Sequence, residues 1–435
     1  MTIDFGEPVS VHSPGRWNLE EGPDFLDATL LLGNEQRRIT GDVEIHTKPG
    51  DWLKHGHDKD PRYSNVIAHV TYYPGDLPSG TTPASTVTIH LKKALNPLFC
   101  FDNVDITAYP FQARSPQTLC SKIISGWTPE KTQSLLTSAG VERLKIKAKR
   151  ISTLIREKGI EQAFYETLMR SLGYKKNSSQ FTKLADLLPI NTLIFLSEND
   201  ALKAYAILCG VSGLLPEDIK VNWEHSTKKW VRSLWDIWWK HQSKLTNKCM
   251  SKSEWSLSGI RPQNHPSRRL MAAACLFISD PPLDERINAL SLTDPKGWFR
   301  KVTQILGQMP ETPTYLNDRA GVNFKQWAVP VSYIGPGTAA AIISNVIVPF
   351  NVAMRKTEFL RPDFLAKLPP ETDNSIIRQT GFNLLGPDHN PALLRHGIIQ
   401  QGLIQVFQDF CLNDRSGCSL CSLAKQLDKF QTVDT

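Results

Sequence analysis

Two hydrophobic textures divide this chain. From about residue 5 to 110, short aliphatic and β-branched runs alternate with Gly, Pro, Asn and Asp: Pro8 to His12, Phe25 to Leu32, Arg37 to Thr47, Val66 to Tyr73 and Ser85 to Leu91. Runs of that length bounded by turn residues predict strands. Beyond about residue 125 the period becomes helical, with Val141, Leu144, Ala148, Ile151, Leu154 and Ile155 on one helix face. Similar spacing predicts helices over 160–172, 197–209, 227–242, 267–278, 297–308, 338–347 and 391–411, with proline-rich loops at 109–116, 261–266 and 361–370. The expected architecture is an α/β N-terminal domain over 1–115, then a larger, mainly α-helical region over 116–435 that divides, if at all, near 245–265.

Strand geometry sharpens the first domain. Runs 25–32 and 37–47 flank the polar turn Gly33-Asn34-Glu35-Gln36 and should pair as a hairpin. That pairing sets Asp24 opposite a residue between Val43 and Ile45, close to Glu44. Along the second strand Asp42, Glu44, His46 and Lys48 share one face, while Val43 and Ile45 point into a core. Residues 50–57 read as a short helix or turn and 66–73 as the next strand. Two carboxylates with a proton carrier are the minimum for binding a hard divalent cation and activating water.

This order resembles the core of the PD-(D/E)xK nuclease superfamily. Asp24 matches that family's first acid and Glu44 its second, while His46 stands where the family usually has lysine. The resemblance implies a restriction-endonuclease-like mixed sheet and a Mg²⁺- or Mn²⁺-dependent phosphodiesterase acting on nucleic acid. Asp24 and Glu44 would hold the ion, with Asp42 and His57 as further candidates, His46 as base or ligand, and Lys48 as auxiliary. Two other readings stand beside it. A zinc hydrolase would use His46, His55 and His57, although His55-Gly56-His57-Asp58-Lys59-Asp60 fails the H-x-H-x-D-H pattern at its last two positions. A non-catalytic nucleic-acid-binding or scaffold protein would use the acids structurally. Gly22-Pro23-Asp24 is ordinary turn chemistry, His55 and His57 fit an exposed polar turn, and His69 fits a satisfied core histidine.

Cys411, Cys418 and Cys421 form C-x6-C-x2-C after the helix expected over 391–411. The spacing resembles the start of the cluster motif in iron–sulfur DNA glycosylases, whose fourth cysteine would fall on Leu427 here. A zinc or iron–sulfur site needs one more ligand, which Cys120 or Cys249 could supply across the fold. Some PD-(D/E)xK nucleases clasp a cluster with one cysteine outside the core and three near the C-terminus, which singles out Cys120. The plainer account makes Cys411 a core residue and Cys418 and Cys421 surface thiols.

Composition changes the picture little. Eight cysteines in 435 residues are too sparse for a disulfide framework, and the charge of +7 permits an anionic partner without requiring one. The first ten residues carry no signal-peptide pattern, and the apolar run 338–350 is broken by Ser344, Asn345 and Pro349. A cytoplasmic protein is expected. Walker, GxGxxG, GxSxG and kinase signatures are absent. Arg143, Lys145, Lys147, Lys149 and Arg150 fit a solvated helix face or a nucleic-acid contact, and Trp230, Trp235, Trp238 and Trp239 fit a core seam or a base-stacking platform. Across nearly its full length the chain also resembles an uncharacterised bacterial family of unknown function. That likeness is carried by Arg16-Trp17-Asn18, Gly22-Pro23-Asp24-Phe25, Gly41 to His46, Asp51-Trp52, His55-Gly56-His57, Asp60-Pro61-Arg62-Tyr63, Ala163 to Glu166, Arg261-Pro262 and Gln400-Gln401-Gly402. It implies no activity.

Overall fold

The computed structural model describes residues 7–18, 22–94, 118–308, 315–372, 375–386, 389–411 and 421–432. The chain divides into two compact units. One comprises Met1–Thr132, Arg378–His389 and Val406–Thr435, the other Gln133–Ile377 and Asn390–Gln405.

The first unit is built on a mixed sheet. Its strands are β1 (Val9–Ser13), β2 (Arg16–Trp17), β3 (Phe25–Leu32), β4 (Arg37–His46), β5 (Val66–Thr71) and β6 (Val87–His90). The order is β1-β3-β4-β5-β6, with β2 pairing on β3. Strands β1, β3 and β4 run antiparallel, and β5 and β6 join in parallel. The expected hairpin is present, closed by Gly33 to Gln36, with Phe25 opposite Val43. One apolar cluster gathers Ala28, Leu30, Leu32, Val43, Ile67, Ala68 and Ile89. By strand alternation Asp42, Glu44 and His46 fall on the other face from Val43.

Two details of β4 differ from expectation. The strand ends at His46, because Pro49 cannot donate to a ladder and Asp51 caps the turn by accepting the Lys48 N–H at 3.1 Å. Lys48 therefore sits in that turn, exposed, rather than on the strand face. Ile45 lies beyond the last β3 partner and is 42% exposed, whereas Val43 is buried.

The second unit is helical, as the spacing predicts. Leu144, Ala148 and Ile151 of the helix Pro129–Lys158 are buried, and helix Ile160–Leu172 packs on Tyr174–Leu187. Helix Ala201–Val211 is covered by His225–Leu245 and Pro266–Phe277. The helix expected over 197–209 is broken instead. Glu198 and Asn199 adopt positive φ, and Asp200 then caps a fresh helix by accepting the N–H groups of Leu202 and Lys203 at 2.7 and 2.9 Å. Helix Tyr174–Leu187, kinked at Asn177, was masked in the sequence by its polar opening. The apolar run near 338–350 belongs to a continuous 18-residue helical stretch, Pro336–Ala353, long and apolar enough to cross a membrane yet 61% buried within the fold.

Candidate metal centre

The site begins where β4 ends. Its last face residues, Glu44 and His46, are 6% and 8% exposed. After the Pro49-Gly50 turn a single helical turn, α1 (Asp51–Lys54), buries Trp52 completely, and Trp52 Nε1 donates to the Thr81 carbonyl at 2.8 Å. His55 ends α1. Gly56, at φ +77°, takes the left-handed conformation that reverses the chain, and a short 3₁₀ turn follows at His57–Lys59. Asp60 then caps the next turn and pairs with Arg62, while Tyr63 stacks under His57 with ring centroids 3.8 Å apart. Trp52, Tyr63 and Val66 form a second small core on this face of the sheet. Residues 51–63 thus lie over the acid and histidine face of β4 and return His55 and His57 to it.

The donor atoms converge. One ring nitrogen each of His46, His55 and His57 lies within 4.8 Å of the others. His46 Nε2 is 3.1 Å from His55 Nδ1 and 3.4 Å from Glu44 Oε1, which is itself 3.3 Å from His57 Nε2. Donors bound at about 2.0–2.1 Å in a tetrahedron stand about 3.3 Å apart, and these three spacings are compatible with a metal shell. His57 Nε2 is buried and makes no hydrogen bond despite the nearby carboxylate. Behind His46, its Nδ1 is 2.9 Å from Nε2 of the fully buried His69. Burial, with help from His57 and His55, lowers the His46 pKa to about 4. Burial and His46 lower that of His69 to about 4. Both rings are therefore neutral near pH 7, the form in which imidazole ligates a metal.

Asp24 completes the cluster from the neighbouring strand. Its backbone N–H donates to Glu44 Oε2 at 3.0 Å, and its Oδ2 accepts the Ile45 N–H at 2.9 Å. Burial first, and the Glu44 carboxylate second, push the Asp24 pKa up to about 6. A cleft of about 350 Å³ opens beside the centre, lined by Trp52, His57, Asp58, Lys59, Tyr63 and Thr81 among others.

The structure brings together Asp24, Glu44, His46, His55 and His57, and leaves two other candidates apart. Asp42 is buried at the β3 bulge, where its Oδ1 accepts the Asp27 N–H at 3.1 Å, and Lys48 is exposed. His69 was legible only as a core histidine, since nothing along an apolar strand announces a hydrogen bond to a residue on the next one. Cys120, Cys411 and Cys421 line one cavity elsewhere in the same unit, while Cys418 lies outside the described residues. In the helical unit the basic run is not wholly solvated: Arg143 Nε and Lys147 Nζ both donate to Gln401 Oε1, at 3.0 and 2.8 Å. Of the four tryptophans, Trp238 is buried, Trp230 stacks between Tyr205 and Tyr315, and Trp239 is 58% exposed against Trp235.

The residues that build this centre fall inside the span of a single family model, described as Protein of unknown function (DUF2851), which matches residues 1–373. The chain belongs to the DUF2851 family. The expectation of an uncharacterised family is therefore met, and DUF2851 membership carries no activity with it. No curated protein and no solved structure matches this DUF2851 chain.

Proposed function

We propose that this protein is a metal-dependent hydrolase that cleaves phosphodiesters, with His46, His55, His57 and Glu44 as the residues that would hold the ion. The observation that carries the reading is the convergence of three imidazoles within 4.8 Å of one another, two of which, His46 and His57, also lie 3.4 and 3.3 Å from one Glu44 oxygen. The orphaned His57 Nε2 is what a missing ligand bond leaves behind. The donor set also selects among ions. Imidazole suits zinc and its transition-metal neighbours, whereas magnesium prefers oxygen ligands and keeps its water. The acid pair alone would favour magnesium or manganese, but the three histidines tip the balance to zinc.

Such an ion, when bound, lowers the pKa of a water and places positive charge against a phosphoryl oxygen. The rest falls to the chain. Asp24, with a carboxyl group titrating near neutrality, is placed to hold or release a proton beside the shell. His69 fixes the His46 ring by occupying its Nδ1, so that Nε2 faces the cluster. Glu44 joins the two parts, with one oxygen toward the imidazoles and the other on the Asp24 N–H. The phosphodiester substrate rests on the likeness of Asp24 and Glu44 to the two acids of the PD-(D/E)xK pattern, with His46 standing in place of its lysine.

The test is cleavage of labelled single- and double-stranded DNA and RNA by metal-stripped protein restored with Zn²⁺, Mn²⁺ or Mg²⁺. Zinc or manganese should restore activity. Asp24→Asn should reduce the rate about 10²–10⁴-fold, the usual contribution of a proton-transferring group. His57→Ala should abolish the metal-restored cleavage. Absence of cleavage with every ion and substrate, or cleavage that survives both substitutions, removes the reading.

A further inference from the structure

The helical unit holds two cavities of about 350 and 360 Å³ that share Thr167, Arg170 and Asn345 in their walls. Each has the size of a small-molecule site. The first is walled by helix Pro129–Lys158, which contributes Lys147 and Arg150, and by helix Ile160–Leu172, which contributes Arg170. The second reaches Ser171, Tyr174, Ser178, Thr338 and Glu371. Asn345 belongs to the π-helical turn Ile343–Ile347. Pro349 has no N–H to offer the Asn345 carbonyl, and the helix opens just before it.

Charge in the first cavity is unbalanced. Lys147 Nζ donates to two neutral amide oxygens, Asn345 Oδ1 and, at 2.8 Å, Gln401 Oε1. Burial first, and Arg143 second, hold its pKa well below 10.5; Arg150 adds to that effect and Glu371 opposes it. Glu371 Oε1 is already taken, accepting Asn345 Nδ2 at 2.9 Å and Gln401 Nε2 at 2.6 Å. Arg150 and Arg170 are exposed and, among the described residues, pair with no carboxylate. Of the other acids in the wall, Glu166 is held by Lys158 at 2.6 Å. Glu157 stands about 15 Å along the helix axis from Lys147. Like charges drawn together and partly out of water are stabilised by a bound anion.

A chain of hydrogen bonds ends in the second cavity. Arg269, 2% exposed, donates through Nη2 to Tyr174 Oη at 2.8 Å. With Arg269 donating, the arrangement that uses every proton has Tyr174 donate to Thr338 Oγ1, 2.5 Å away, and leaves the Thr338 O–H for the cavity. The hydroxyls of Ser171 and Ser178 and the second oxygen of Glu371 bond to nothing among the described residues. Donors and one carboxylate acceptor therefore line this end, where a ligand's hydroxyl groups can both give and accept.

We propose that the joined cavities bind a sugar phosphate, its phosphoryl group against Lys147, Arg150 and Arg170 and its hydroxyls against Thr338, Ser171 and Glu371. A phosphate monoester carries close to two negative charges and three acceptor oxygens, enough for two guanidinium groups and an amine. A carboxylate brings one charge and two oxygens. A nucleic-acid backbone would repeat its charge along the site, whereas here the cations gather at one end and a carboxylate stands at the other. The site needs no metal, so it does not depend on the histidine centre.

The experiment is calorimetric titration of the metal-stripped full chain with ribose 5-phosphate, glucose 6-phosphate, fructose 6-phosphate, the three parent sugars and inorganic phosphate. At least one sugar phosphate should bind more tightly than inorganic phosphate, and the parent sugars should not bind. Arg150→Gln/Arg170→Gln, at exposed positions that spare the core, should weaken sugar phosphate and inorganic phosphate alike by about 10–100-fold. Thr338→Val should weaken the sugar phosphate and leave inorganic phosphate unchanged. His57→Ala and Arg232→Gln should change neither. Binding of none of these probes overturns the proposal, as does binding that persists in folded Arg150→Gln/Arg170→Gln or is lost in His57→Ala. Inorganic phosphate bound as tightly as every sugar phosphate overturns it too, leaving an adventitious ion only.

Discussion

Asp24 and Glu44 hold each other across the β3–β4 hairpin. The Asp24 N–H donates to Glu44 Oε2 at 3.0 Å, and the Asp24 carboxylate accepts the N–H of Ile45 at 2.9 Å. Each carboxylate is thus fixed by backbone of the opposite strand, so neither can swing away to relieve their repulsion. Burial first and that repulsion second push the Asp24 pKa up to about 6, and a cation bound between strand and histidines would relieve the repulsion.

The pairing of His46 with His69 yields a prediction about metal affinity. His69 touches no substrate; it orients a ligand. His69→Ala should weaken zinc binding about 10–100-fold, as loss of an orienting partner does elsewhere. Competition with a chromophoric chelator measures it on folded protein. Lys48→Ala, in the exposed turn, should leave affinity unchanged. An affinity equal to wild type in His69→Ala would show that the hydrogen bond from His69 does not orient the ring.

His265 in the helical unit makes stability depend on pH. It caps helix Pro266–Phe277 through Nδ1, which accepts the Ser267 N–H at 3.3 Å, and only the neutral ring can accept. Burial, with Lys252 second, lowers its pKa from 6.5 to about 4. A depressed pKa means that the folded state binds fewer protons than the unfolded one. The contribution is fully present above pH 6.5 and is lost as pH falls through about 4. At about 1.4 kcal/mol per unit the ceiling is about 3 kcal/mol. His265→Asn keeps an acceptor without the titration, so urea melts between pH 4 and 6.5 should show a shallower pH slope than wild type. Identical slopes would remove the cap from the account.

Gly210 lies where helix Ala201–Val211 meets Trp238. A Cβ at this position would stand 2.2 Å from Trp238 Cδ2, well inside contact distance. Gly210→Ala gains about 1 kcal/mol of helix propensity. Overpacking should outweigh that gain and leave a net loss of about 1–3 kcal/mol. Adding Trp238→Leu should recover part of the loss in a double-mutant cycle read by chemical denaturation. An alanine as stable as glycine would mean that the indole moves freely.

The hairpin was legible because a polar four-residue turn between two alternating runs leaves one sensible register. That register put Asp24 beside Glu44, and the structure agrees. Period two put Glu44 and His46 on one face, again correctly, but it overran at Lys48 because alternation does not reveal that Pro49 and Asp51 stop the strand. Helices Ile160–Leu172 and Pro266–Phe277 declared themselves by apolar spacing. Helix Tyr174–Leu187 did not, since its first turns are polar and its burial comes from neighbours distant in sequence.

By itself the sequence determined the five longer strand runs, most of the long helices, and that acids and histidines cluster between residues 24 and 69, because those properties follow from short-range periodicity and turn chemistry. Tertiary structure alone decided which of them meet. Gly56 turns His55 and His57 back toward β4, parallel pairing of β5 sets His69 behind His46, and chain return brings Cys411 and Cys421 to Cys120. Side-chain convergence at a few ångströms depends on long-range packing and burial, and local residue patterns carry no measure of either.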